Sequence, residues 1–309
     1  MTDTVIEILG QTGVRIKGML AKKDWPAMVA ELDSPSCENV KNLIQGKDPR
    51  YPGFSWFAKP GVERWDMRYE KKEINAPKLM NLILMPMVDG VKGLNMGAAT
   101  YPASSTFSTI LLLGSTMSDF SSRVSFLNTL ISERKTETQS TSVYILTGKR
   151  SFNDSEKEML TKRGTPDALK VLASDSEKTG LEWVYNTFKK DAAFAALPVM
   201  TINDASPKGI RATTESTLAL FFKQTNVSKD KRILGVSSHI FALYQYLILK
   251  RVAHQNGFEG YVEICAPALS GSERDAYPDS KKLAMLLDNL ARIFYEICFY
   301  KEKTGQYPS

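Results

Sequence analysis

Five short stretches of this chain carry the residue types that do chemistry. They are Gly114-Ser115 with Ser121-Ser122-Arg123, then Thr147-Gly148-Lys149-Arg150, then Asn203-Asp204, then Arg211-Ala212-Thr213-Thr214-Glu215-Ser216, and finally Ser237-Ser238-His239. Glycine and small hydroxyl residues leave backbone N–H groups open, and Arg and Lys bring positive charge. Ahead of a helix that combination suits an anionic ligand. Ser115, Ser122, Arg123 and Gly148 are expected to cradle it, with Gly114, Thr147, Ser237 and Ser238 beside them. Glu215 and His239 are the expected acid and base, His being the side chain that titrates nearest neutral pH.

The same residues have a plainer reading. Ser, Thr and Asp ahead of a helix are ordinary N-caps, and Ser174-Asp175-Ser176-Glu177 has the spacing of a capping box. Glu215 would then only complement a helix dipole, and His239 would be a core residue satisfied by a carbonyl. What favours a site is that parallel strands would deliver all these stretches to one sheet edge.

The elements that must position them are legible from about residue 108 onward. Apolar runs at 109–113, 143–146, 199–202, 233–236 and 261–265 read as strands. Helical stripes alternate with them. One begins at Ser122-Arg123 and runs through Val124, Leu127, Leu130 and Ile131; a long amphipathic one spans 282–300. Strands alternating with helices imply βαβ units, hence an α/β fold with a mainly parallel sheet and helices on both faces.

Residues 1–105 read as a separate N-terminal α+β extension, ahead of an α/β domain over 106–309. Segments 5–8 and 14–19 flank Gly10-Gln11-Thr12-Gly13 as a hairpin. Asp24 precedes a short helix with Pro26 in its first turn, and Ser36 caps another through residue 44. Phe54, Trp56, Phe57, Trp65 and Tyr69 cluster after a Pro/Gly-rich break, as a satellite core or an interaction surface.

Composition narrows the function classes. The net charge of +6 on 309 residues is mild, and Lys and Arg are scattered rather than clustered. That suits a small anionic ligand and argues against nucleic acid. Cys37, Cys265 and Cys298 are odd in number with no CxxC spacing, which speaks for reduced thiols. No secretory signal opens the sequence, and the apolar tracts at 82–88 and 240–249 are too short to span a membrane. The expectation is a cytoplasmic protein, non-classical secretion aside. No GxGxxG, GxxxxGK[ST], GxSxG or HExxH motif occurs. Asp204 and Glu215 are the only candidate ligands for Mg²⁺.

The order of motifs resembles the YdcF/SanA/ElyC-like family over about residues 108–300. An apolar strand ends on Gly114, and Ser122-Arg123-Val124 stands where that family opens a helix with Ser-Arg-Val. Thr147-Gly148-Lys149 matches its Ser-Gly-Gly, Ser176-Glu177-Lys178 its Ser-Glu-Ala, Thr213-Thr214-Glu215-Ser216 its Thr-x-Glu-Asn, and Ser237-Ser238-His239 its Thr-Ser-x-x-His element. The resemblance implies a Rossmann-like strand order, and it adds Glu177 and Thr213 to the ligand-binding set. It also suggests S-adenosylmethionine or a sugar nucleotide as ligand. Lys149, Ser216 and Ala242 depart from the pattern.

Two expectations follow. One is a transferase- or hydrolase-type enzyme that binds a phosphate-bearing or nucleotide-like molecule at the C-terminal edge of the sheet. The other is a non-catalytic ligand-binding or protein-interaction module with a degenerate site, whose protein partner docks on the N-terminal extension.

Overall fold

The computed structural model describes residues 98–133, 140–189, 192–204, 212–225, 227–228, 231–269 and 279–308, with a few positions between 18 and 30. Contacts divide the chain into two compact units. One comprises Thr100–Ser238 and Ile248–Pro267; the other comprises Met1–Ala99, His239–Leu247 and Ala268–Ser309.

The first unit is built on five strands: β1 (Thr109–Leu112), β2 (Ser142–Gly148), β3 (Val199–Asp204), β4 (Arg232–Val236) and β5 (Tyr261–Cys265). All four pairings are parallel, in the order β3-β2-β1-β4-β5. This is the Rossmann-like α/β arrangement. The strand order reverses between β1 and β4, the position at which open α/β sheets form their ligand crevice.

Alternation along each strand supplies two apolar faces. Ile110 and Leu112, Val143 and Ile145, and Leu234 and Val236 join one core cluster. Leu111, Leu146 and Ile233 are buried on the opposite side, as β-strand periodicity requires. Helices α1 (Met117–Ser132), α2 (Asp154–Arg163), α3 (Pro166–Ser174) and α4 (Glu177–Phe188) contribute to the first core, joined by Phe194 of the short α5 (Ala192–Ala195). On the second face α6 (Thr214–Gln224) sets Phe221 edge-on against Tyr144, with ring centroids 4.9 Å apart. Leu249, from α7 (Ala242–Gln255), covers Gly235 there. Cover on both faces explains why the central strands read as continuous apolar runs, while edge strand β3 leaves Val199 and Met200 exposed.

Two helix boundaries differ from the sequence reading. Helix α1 starts at Met117, not Ser122, because the Thr116 side chain accepts the Asp119 N–H and caps it there. Residues 174–177 are not a capping box. Asp175 ends α3 in the left-handed region, Ser174 donates to Val171 O, and Ser176 makes no side-chain cap for α4. Capping boxes are instead closed by Asn153 with Glu156 and by Thr213 with Ser216.

In the second unit, α8 (Asp279–Thr304) buries Leu286, Ile293, Ile297 and Tyr300. Asn289 Nδ2 donates to Ile240 O at 2.6 Å, and Arg292 pairs with the fully buried Asp288 at 2.8 Å. Trp25 Nε1 donates to Pro308 O at 2.7 Å. Residues 25–27 are helical, with the Asp24 carboxylate accepting the Ala27 N–H. Gly18 and Met19 are also helical, where a strand was expected; Met19 O accepts the Asp24 N–H. The rest of the expected hairpin, the helix capped by Ser36, the aromatic cluster of Phe54, Trp56, Phe57, Trp65 and Tyr69, and Arg211 lie outside the described residues. Among the described residues no helix is long and apolar enough to cross a membrane.

Candidate functional site

The point between β1 and β4 where the strand order reverses is spanned by a side chain from neither strand. Arg123 lies on the buried face of α1 with Phe120, Val124 and Leu127, and helix geometry tilts side chains back toward the N-terminus. Its guanidinium therefore reaches the carboxyl ends of the strands. Nε donates to Ser238 Oγ beyond β4 at 2.8 Å, and Nη1 donates to Leu113 O and, at 3.3 Å, to Gly114 O beyond β1. Arg123 is 2% exposed. Burial lowers its pKa to about 10, opposed by the charges of Asp119 and Glu177, so it is cationic at neutral pH. The donors expected to meet a ligand are largely spent on the protein's own oxygens.

The neighbouring junction, between β1 and β2, carries the acidic chemistry. Arg150, just past β2, grips Glu156 at two points, Nη1 to Oε2 at 2.6 Å and Nη2 to Oε1 at 2.8 Å. Its Nε meets Glu177 Oε2 at 3.1 Å, and Nη2 also donates to Ser115 O. Glu156 additionally accepts the N–H groups of Met117 and Asn153, each at 2.9 Å. The first N–H of α1 is thus taken by a carboxylate of the chain itself. Burial works against ionising Glu156, but Arg150 and those N–H groups outweigh it and hold it below the usual carboxylate range.

Glu177 is poised differently. It opens α4, is 8% exposed, and its carboxylate faces the Gly148 N–H. Burial pushes it up to about 7; Arg150 opposes that rise and the charge of Glu156 adds to it. Both strand-end glycines border this group. A Cβ on Gly114 would stand 2.5 Å from Leu146 O and 3.2 Å from Glu177 Oε1. A Cβ on Gly148 would meet the Ala212 Cβ at 2.5 Å and lie 3.7 Å from Glu177 Oε2. Only glycine lets the two turns close around the carboxyl.

The expected site residues therefore divide. Gly114, Ser115, Arg123, Gly148, Glu177 and Ser238 belong to one connected network at the sheet edge. Ser115 Oγ donates to Asp119, and Ser237, fully buried, donates to Ser238 O. Thr147 is buried in β2 with its hydroxyl on Asn203 Oδ1 at 3.0 Å. Ser122 lies in the second turn of α1, its hydroxyl turned back to Ser118 O. Thr213 is an exposed cap for α6. Glu215 is bound to the wholly buried Arg251 at 2.8 Å, and that bond holds it ionised below the usual range. His239 is the first residue of the other unit's second segment and is 3% exposed. Neither of its ring nitrogens has a hydrogen-bond partner, and burial depresses its pKa to about 4.

Glu156 is the member the spacing argument passes over, and Arg150, named at its junction, is assigned no role in the site by it. Asn153-Asp154-Ser155-Glu156 is itself a capping-box signature, so the helix start was readable; Glu156's second role as the anion at α1 was not. Among the described residues no group of three His, Cys, Asp or Glu side chains could hold a metal ion, and Glu215 is committed to Arg251. The donor set thus does not fit Mg²⁺ at Asp204 and Glu215. Comparison of the chain with protein-family models, with curated proteins and with solved structures finds no match.

Proposed function

We propose that this chain is an enzyme that binds a phosphate-bearing or nucleotide-like small molecule at the carboxyl edge of its parallel sheet and moves a proton through Glu177. One observation carries this reading. A carboxyl poised to titrate at about 7 stands between two strand-end glycines, beside the point where the strand order reverses. Open α/β sheets bind their ligands at that position, and a group titrating near the working pH is suited to both giving and taking a proton. Glu215, held ionised by Arg251, is a poor acid, and His239, neutral at pH 7, can only accept.

The resemblance to the YdcF/SanA/ElyC-like family points to S-adenosylmethionine or a sugar nucleotide, and to transfer or hydrolysis. With a sugar nucleotide, or in hydrolysis, most of the acceleration would come from positioned charge, here from Arg150, with Glu177 protonating the leaving oxygen or deprotonating the attacking one. With S-adenosylmethionine, whose leaving group is a neutral thioether, Glu177 would only deprotonate the attacking group.

A thermal-shift screen against S-adenosylmethionine, a sugar nucleotide and ADP tests the reading. A ligand at about 100 times its dissociation constant stabilises the native state by about 2.7 kcal/mol. Hydrogen exchange should then slow at Gly114–Ser115 and Gly148–Lys149. Stabilisation with protection elsewhere, or none by any compound, defeats it.

A second reading has an observation of its own. The α1 N-terminus and most Arg123 donors are already satisfied internally, as in a binding module whose site has closed. A lack of any ligand response would favour that module.

A further inference from the structure

We propose that Glu177 occupies the ligand's own anion position: in the free chain its carboxylate pairs with Arg150 Nε and faces the Gly148 N–H, and an entering oxyanion displaces it, driving a proton from the buffer onto Glu177. This inference rests on the anion-binding reading above and names how that site is regulated.

Three features of the network carry it. The first is an asymmetry between two carboxylates on one guanidinium. Glu156 is held by four donors, two from Arg150 and the N–H groups of Asn153 and Met117. Glu177 has one ion-pair partner, Arg150 Nε, with the Gly148 N–H facing it. The Nη edge of Arg150 is therefore fixed, and only its Nε side can be exchanged. Second, a cation beside a backbone N–H at a strand-end glycine is an arrangement that binds phosphate oxygens as readily as a carboxylate. Third, the charges already include three acids. Arg123 and Arg150 are set against Glu177, Glu156 and, beside Arg123, Asp119. An added oxyanion would leave an excess negative charge in a buried setting unless one carboxylate is neutralised. Glu177 is the one that can be, because burial already brings its titration to about 7 while Glu156 is held ionised.

The consequence is a ligand affinity coupled to pH. Below the titration of Glu177 the carboxyl is already neutral and the donors are released without cost. Above it, each anion bound must take up a proton, so affinity falls about tenfold per pH unit. A protonated Glu177 also changes from acceptor to donor and can bond the ligand oxygen that replaced it.

Sulfate is the probe, since it mimics a phosphate and does not itself titrate near neutral pH. Calorimetry on the full chain, in two buffers of different ionisation enthalpy, reports protons taken up per sulfate. Uptake should rise from near zero at about pH 6 toward about one at pH 8, with affinity falling about tenfold in all across that range. Glu177→Gln should bind sulfate with no proton uptake, no pH dependence, and about tenfold more tightly than wild type at about pH 8. If both proteins bind sulfate alike with no proton uptake, the displacement is overturned while anion binding stands. If neither sulfate nor ADP binds either protein at any pH, the anion-binding reading falls and this inference with it. Proton uptake is measured on the wild type, so the proposal is decided even if the variant does not fold.

Discussion

Arg123 Nε and Ser238 Oγ, 2.8 Å apart, join a helix that follows β1 to the loop that follows β4. The bond spans the point where the strand order reverses, and the guanidinium behind it also holds Leu113 O and Gly114 O. Arg123→Leu removes three bonds from buried oxygens in one step. The loss should be about 3 kcal/mol, whereas Ser238→Ala, which strands a single donor, should cost about 1 kcal/mol. Urea unfolding with unchanged m-values checks both. Equal losses would mean that the guanidinium contributes only packing.

Glu177 makes stability fall as pH rises. Its native pKa of about 7 exceeds the ordinary 4.5, so the native state binds this proton more tightly than the unfolded chain. Between those two values the native state carries more of the proton, and stability declines across that window by about 2–3 kcal/mol. Above it the full penalty persists. Glu177→Gln should therefore gain on wild type as pH is raised from about 5 to about 8, with the difference flat outside the window. Urea midpoints of the two proteins, measured side by side, would show it.

His239 works in the opposite sense. Burial depresses its pKa to about 4 from an ordinary 6.5, so the unfolded chain binds the proton more tightly. Stability attributable to this residue is complete above 6.5 and drains away as pH falls toward 4. The imidazole should titrate by NMR with a midpoint near 4. Because both ring nitrogens are buried without partners, His239→Leu should be at least as stable as wild type at neutral pH and lose this part of the acid sensitivity. A destabilised Leu variant would show that the ring bonds something in solution.

The glycines separate steric from conformational demands. Gly114→Ala places a methyl 2.5 Å from the carbonyl oxygen of Leu146, inside the sheet, where neither strand can yield. A loss of about 2–3 kcal/mol is expected. Gly257→Ala meets nothing within 4 Å but must keep a φ of +70°, which should cost about 1 kcal/mol. Thermal melts rank the two directly.

The sheet was readable from sequence because strands buried on both faces are written as unbroken apolar runs; 109–113 and 233–236 needed nothing else. Helix starts were harder, since a cap depends on which of several polar residues turns inward. Thr116 outcompetes Ser122, and the spacing at 174–177 is shared by two abutting helices. The site was legible only as a place. Arg150, Glu156 and Glu177 are six and twenty-seven positions apart in sequence, and nothing local announces that one guanidinium serves both acids. The partner of Glu215 is likewise 36 residues away, on a helix of its own. Chemistry that arises from proximity becomes visible only when the chain has closed.

Strand β1 is paired on one side by β2 and on the other by β4, and the β4 side is distant: Ser108 Oγ donates to Arg232 O across 124 residues. During synthesis β1 emerges long before the strand that completes its pairing. Until residue 238 leaves the ribosome, its inner edge is bare and the Arg123 guanidinium lacks its serine. The nascent first half is thus a sheet open at its centre rather than at its rim. Such long-range closure slows folding and leaves a sticky edge on display, so the yield of this protein should depend more on chaperone supply and translation speed than its final packing would suggest.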